Sequence, residues 1–331
     1  MDEMTEVEQP TPKKSFFSGD FLRRRLISNP VTMKELRSRM RGARAYVILT
    51  VYLALISGLV GVIYLAVVSS ESQMPNPETY QIIGKTVFGT VLALQFALIS
   101  MIAPALTAGA IASERERQTF DLLRTTLLPA RSLVNGKLLS AVLFLLLLLF
   151  AALPLQSLAY LLGGVGFVEI GISSLMLVIC TFTFSLIGIF FSSLVKRTLP
   201  ATILSYLFSS GFVVGLPILL SFFLGLFGPL IGNFLYGSYG GQSPPEIQPW
   251  QVYAMAAIIW LLLTSNPVLA ALTSELLLIE EQAIFAWSVP LNNNLPNITI
   301  ISPWLGFCVL YLVVSLILYL FSILIVKRKE K

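Results

Sequence analysis

Long apolar stretches alternate with short charged ones along this chain, and the apolar stretches exceed the length of soluble helices. No charge occurs from Ala45 to Ser70 (26 residues), Thr86 to Ser113 (28), Leu138 to Val168 (31) or Ile170 to Val195 (26). About 20 apolar residues, at 1.5 Å each, cross a hydrocarbon core of about 30 Å. The four runs therefore predict four transmembrane helices. Their ends fall at Arg44, Lys85, Glu114, Lys137, Glu169 and Lys196, because a charge at the bilayer centre costs roughly 2.5–3.5 kcal/mol.

The remaining pattern is less regular. Leu199 to Tyr236 is apolar for 38 residues and holds Pro217, too long for one span and short for two. Val252 to Ala271 is interrupted by Asn266-Pro267, and Pro303 to Val326 is a clean span ending at Lys327-Arg328-Lys329. Basic residues near short loops stay on the cytoplasmic side. With both termini there, the number of crossings is even. Six spans result, at about 45–68, 86–112, 138–162, 170–195, 199–227 and 303–326. An outer element at about 228–302 then contains 252–271 as a re-entrant or membrane-surface piece, a geometry tolerated where other helices shield the backbone. Eight spans, with 199–236 broken in two, is the competing count. The six-span arrangement puts 21 of 22 basic residues inside, Lys85 excepted, and seven acids outside, including Glu169, Glu246 and Glu275.

Composition agrees. Apolar residues are 56% of the 331 and charged residues 12%, about half the roughly 25% of a soluble domain. The fold class expected is an all-α polytopic membrane protein in a cell membrane of the bacterial inner-membrane type. A polar tail, 1–27, precedes an interfacial helix, 28–44; the transmembrane domain runs over 45–326 and a basic end over 327–331. No signal-peptide pattern precedes the first apolar run.

Several chemistries drop out. The chain has no histidine, which removes His-based catalysis and His-ligated metals. Cys180 and Cys308 sit inside apolar runs and read as core residues. No HExxH or GxSxG is present, so no enzyme, metal or cofactor is expected. Gly84-Lys85-Thr86 imitates a phosphate loop, but the required earlier glycine is replaced by Thr79. The net charge of +5 follows topology and does not imply nucleic acid. Gln95, Gln156 and Asn266 stand at membrane depth and read as groups that bond between helices or line a substrate path. Asn297-Ile298-Thr299 matches a glycosylation acceptor, and Gly211/Gly215 and Gly228/Gly232 are spaced for close helix approach.

Two charged segments carry the functional reading. After Ser28-Asn29-Pro30, a capping pattern, Met33, Leu36 and Met40 form an apolar stripe beside Lys34, Arg37, Arg41 and Arg44. This is an amphipathic helix for the lipid surface, attracted by anionic headgroups. The loop between spans two and three places Phe120, Leu123 and Leu127 on one helical face and ends at Pro129. Periodicity alone leaves two uses open for it: docking to a protein, or lying against lipid as a connector.

The run Pro104-Ala105-Leu106-Thr107-Ala108-Gly109-Ala110-Ile111-Ala112-Ser113-Glu114-Arg115-Glu116, followed by Thr119, Leu123, Thr126, Leu128 and Gly136-Lys137, resembles the permease subunits of type-2 ABC transporters. Asn29-Pro30-Val31 with Lys34-Glu35-Leu36-Arg37 resembles them as well. The likeness covers about residues 28–215. It implies a permease, in a family made mostly of exporters, paired with a second permease subunit of the same or a related chain and driven by separate cytosolic ATPase subunits. It also implies a coupling helix in the second loop, with Glu114, Arg115, Glu116, Thr119, Phe120, Leu123 and Arg124 at the ATPase contact. The competing classes are an ion-coupled secondary transporter, which would normally hold charges within its spans, and a non-transporting membrane anchor. The clear spans hold none.

Overall fold

The computed structural model describes residues 30–70, 77–118, 130–236, 249–280, 284–289 and 298–328. In chain order the helices are α1 Pro30–Met40, α2 Ala43–Ser70, α3 Pro77–Thr107, α4 Ala112–Glu116, α5 Ala130–Leu161, α6 Phe167–Leu194 and α7 Thr198–Ser210. A π-helical turn, Gly211–Gly215, joins α7 to α8 Leu216–Tyr236; then come α9 Pro249–Ser265, α10 Pro267–Glu280 and α11 Pro303–Arg328. Pro30, Pro77, Pro249, Pro267 and Pro303 each open a helix, where the missing N–H would have had no partner in any case.

Six helical segments are long and apolar enough to cross a membrane: Ala45–Ser69, Tyr80–Glu116, Ala130–Leu161, Phe167–Leu194, Thr198–Gly228 and Pro303–Arg328. The spans begin earlier than the charge-free runs. Lys85 lies inside α3, and Arg131 and Lys137 inside α5, because charges at a span's end pair or reach polar surroundings. The 199–236 stretch stays one span through the π turn, so the count is six and the eight-span alternative falls.

α3 and α6 form the centre, with α2 and α7–α8 at the rim. Phe96 of α3, Phe184 of α6 and Phe307 and Tyr311 of α11 are buried together. Phe307 and Tyr311 have ring centroids 4.0 Å apart, and Phe96 meets Phe307 edge-on at 6.3 Å. Lipid is as apolar as these side chains, so packing and interhelical hydrogen bonds hold such a bundle. Gln156 Nε2 donates to Gln95 Oε1 at 2.6 Å, tying α5 to α3. Gly84 serves packing too: a Cβ there would stand 2.9 Å from the Ala159 carbonyl oxygen and 3.0 Å from Gly164. The α5–α6 turn at the far end is thereby laid directly on α3.

The fifth span and the re-entrant element share a break. Pro217 has no N–H, so the carbonyls of Val213 (four residues back) and Phe212 (five back) lose their helical donor. Asn266 replaces it. Its Nδ2 donates to Phe212 O at 2.7 Å and to Val213 O at 2.9 Å, while its Oδ1 accepts from Leu269 N at 2.8 Å and caps α10. α9 and α10 meet at this residue with a bend of 111°. The Tyr311 hydroxyl donates to Ser265 O at 2.9 Å on the other side of the bend. Tyr311 is eight residues into α11, so the bend lies about 12 Å along that helix, and the pair is either a broken span or a re-entrant element.

The far end also holds a two-stranded antiparallel hairpin, β1 Ala286–Val289 and β2 Ile298–Ile301, pairing Ala286 with Ile301 and Val289 with Ile298. It adds a small β element to an otherwise helical fold. The Trp260 and Trp304 indoles donate to Ile301 O and Ile284 O, both at 2.7 Å. Asn297 of the acceptor pattern lies outside the described residues. Among the described residues, Gly211 and Gly215 have no neighbour outside their own helix within 4 Å of a built Cβ.

Candidate functional site at the basic end

α1, the start of α5 and the end of α11 lie at one end of the bundle, where Ile111, Ala130, Leu133, Val134, Ile189, Ile323 and Val326 form a second small core. α1 docks through one face, Thr32, Glu35, Leu36 and Arg39, spaced i, i+3, i+4 and i+7; Thr32 is buried and the other three half-buried. Met33, Lys34, Arg37, Met40 and Arg41 are exposed. The pattern is the reverse of a soluble surface helix. Polar groups turn inward to partners, and methionines with cations turn outward.

Charged side chains at this end meet helix termini of the opposite partial charge. Arg39 Nη2 donates to Leu106 O at 2.9 Å, at the C-terminal turn of α3. Arg115 Nη1 donates to Ser193 O at 2.6 Å, at the C-terminal turn of α6. Glu116 Oε2 accepts from the N–H and hydroxyl of Thr198, at 3.1 and 2.7 Å, on the first residue of α7. Cations at carbonyl ends and a carboxylate at an amide end each satisfy groups the helix leaves unpaired, and agree with its dipole. Burial lowers the Arg39 pKa from its ordinary value, with Glu35 acting against the shift; a guanidinium remains charged regardless.

The elbow between α3 and α4 is fixed by the same means. Ser192 Oγ accepts from Ile111 N at 2.8 Å and Ala112 N at 2.9 Å, holding two amides at the start of α4. Gly188, one turn earlier on α6, leaves room for the end of α3; a Cβ there would overlap the Thr107 hydroxyl. Lys137 joins the pieces. It is 3% exposed, and its Nζ lies 2.7 Å from Glu114 Oε1 and 3.4 Å from Glu35 Oε1. One cation on α5 thus bridges the elbow helix and the docked helix. Gln118, at φ 58°, then turns the chain into the left-handed region that ends helices.

The profile of a known family, described as ABC-2 family transporter protein, matches residues 30–322. The chain belongs to the ABC-2 transporter family. It is a permease subunit, the multi-pass membrane component of an ABC transporter and not an ATPase itself, in a family that works with ABC ATPase subunits. A comparison with curated proteins gives no match.

Of the seven residues that the resemblance assigned to coupling, the permease brings Glu114, Arg115 and Glu116 together on α4, each bonded within the chain. Thr119, Phe120, Leu123 and Arg124 lie outside the described residues. Lys34, Arg37 and Arg41 are exposed on α1, and Arg44 falls in the first turn of α2. Of the residues that hold the elbow, Glu35 and Lys137 stand in the family motifs without an assigned role, and Arg39, Ser192 and Thr198 carry no signal of their own in the sequence. The i, i+4 pair of Glu35 and Arg39 was the available signal.

Proposed function

We propose that this permease subunit forms the translocation path of an ATP-driven exporter, acting with a second permease subunit, and receives its drive through the loop that α4 opens. Both termini and that loop face the cytoplasm in this reading, which is supported by the 21 basic residues that the six-span order gathers on one side. The observation that carries it is the bracing of α4. Five residues of helix, Ala112–Glu116, are tied to α6 through Ser192 and Ser193, to α7 through Thr198, and to α5 and α1 through Lys137. A push on the following loop therefore reaches four other helices as one displacement. Glu114, Arg115 and Glu116 transmit the push in this scheme, and Thr119, Phe120, Leu123 and Arg124 receive it from the ATPase. Lys34, Arg37, Arg41 and Arg44 hold α1 to anionic headgroups, so the brace is anchored at the membrane surface.

Phe120→Asp with Leu123→Asp tests the reading. Two charges placed in an apolar contact cost several kcal/mol when the contact is buried, whereas insertion is unaffected because both positions lie outside every span. The expected result is a normally inserted permease that neither co-purifies with its ATPase nor supports transport. Full binding and transport in the double variant would remove the coupling role.

A further inference from the structure

α10 carries a carboxylate into the packed far end of the bundle. Glu275 is 7% exposed, and its Oε2 lies against the bare backbone of α3 at Gly89, 3.1 Å from where a Cβ would stand. Leu272, one turn earlier, closes the same spot at 3.4 Å. Among the described residues Glu275 has no hydrogen bond and no cation within 4.0 Å. The charged groups facing it are Glu169 from α6 and Lys85 from α3. α9, α11 and the π turn also pack on α10, and none brings a charge to that end. The other titratable side chains described on the packed elements are Tyr80, Cys180, Tyr253, Cys308, Tyr311 and Tyr319, with Lys327 and Arg328 at the opposite end of α11.

One cation facing two carboxylates leaves a negative charge in a site with little water, and such a charge is costly unless paired or neutralised. No group of three or more side chains able to hold a metal ion occurs among the described residues. A proton is the remaining neutraliser. We propose that Glu275 is a proton-binding site that governs the seating of the re-entrant pair on α3. Protonated, the carboxyl packs on Gly89 and α10 stays seated. Ionised, it draws water, and α10 lifts away. One proton passes between the Glu275 carboxyl and water of the far side, and no electron moves. The site makes the far end of the permease responsive to pH independently of the loop at the basic end.

The test uses the full chain in lipid nanodiscs, with Cys180 and Cys308 replaced by alanine and Leu272→Cys as reporter. Maleimide labelling rates are measured with Glu275 present and with Glu275→Gln, and their ratio cancels the reporter thiol's own ionisation. Expected is a ratio near one at about pH 5.5, rising roughly tenfold or more by about pH 9.5, as one released proton allows. A flat ratio overturns the proposal. So does a profile that becomes pH-dependent only in Lys85→Gln, since Lys85 would then be the neutralising group. If the Gln variant fails to insert, Glu275→Leu, which also lacks the proton site, serves as the reference.

Discussion

Lys137 offers the most direct measurement of the brace. Its Nζ lies 2.7 Å from Glu114 and 3.4 Å from Glu35, so at an effective dielectric of about 20 the two attractions are each roughly 5–6 kcal/mol before desolvation. Lys137→Met removes both and leaves two carboxylates without their cation. Breaking a fully buried pair costs about 3–5 kcal/mol. The acid side chains are 22% and 28% exposed, so water recovers part of this and about 2–3 kcal/mol is expected. The measurement is thermal unfolding of the detergent-solubilised permease, where that loss lowers the midpoint by on the order of 5 °C. Adding Glu114→Gln and Glu35→Gln to Lys137→Met removes the stranded charges and returns at least half of the lost stability, with coupling still impaired. A Lys137→Met protein as stable as the parent, or a triple variant no better than the single, would refute the brace as an ion-pair device.

Three further outcomes are expected. Asn266→Leu leaves the Phe212 and Val213 carbonyls without a donor and destabilises the detergent-solubilised chain by about 2–3 kcal/mol. Pro217→Ala in that background restores an N–H and recovers part of it, which a double-mutant cycle of unfolding midpoints will show. Changing Lys34, Arg37 and Arg41 together to Glu weakens the hold of α1 on anionic lipid by about 1 kcal/mol per charge lost, measured as protease access to α1 in vesicles with and without anionic lipid. A cysteine at position 246, in a chain lacking Cys180 and Cys308, labels from outside the cell; labelling only from the cytoplasm would sink the six-span order.

The spans were legible because charges bracket them and nothing else in a bilayer can. Their starts were not, since a rule that stops at the first charge cannot know that Lys137 will find Glu114 and Glu35 inside the protein. α1 was visible as a helix, but its docking side was misleading. Beside a membrane Met33 and Met40 can face outward, and the polar Thr32, Glu35 and Arg39 turn in, so a hydrophobic stripe no longer marks the buried face. The re-entrant pair announced itself through Asn266-Pro267, yet its partner, Pro217, is 49 residues earlier in the chain, and only depth in the bundle brings them together. The hairpin consists of four-residue strands, too short for alternation to stand out. Glu275 counted only as one of the outer acids, and burial against a glycine 186 residues away leaves no local trace.

The π turn makes the fifth span sensitive to counting. A π turn holds one residue more than an α-helical turn, and each residue rotates a helix by about 100°. Ala201, Ser205 and Ser209 set the buried face of α7, and Leu220 is buried on α8, so the two halves of the span keep separate rotational settings with Gly211–Gly215 as the offset. Deleting any one of those five residues would leave composition and hydropathy almost unchanged and the span still long enough to cross. It would also turn everything up to Tyr236 by about 100° and carry the Phe212 and Val213 carbonyls away from Asn266. In this part of the permease the number of residues, more than their kind, is what the structure holds fixed.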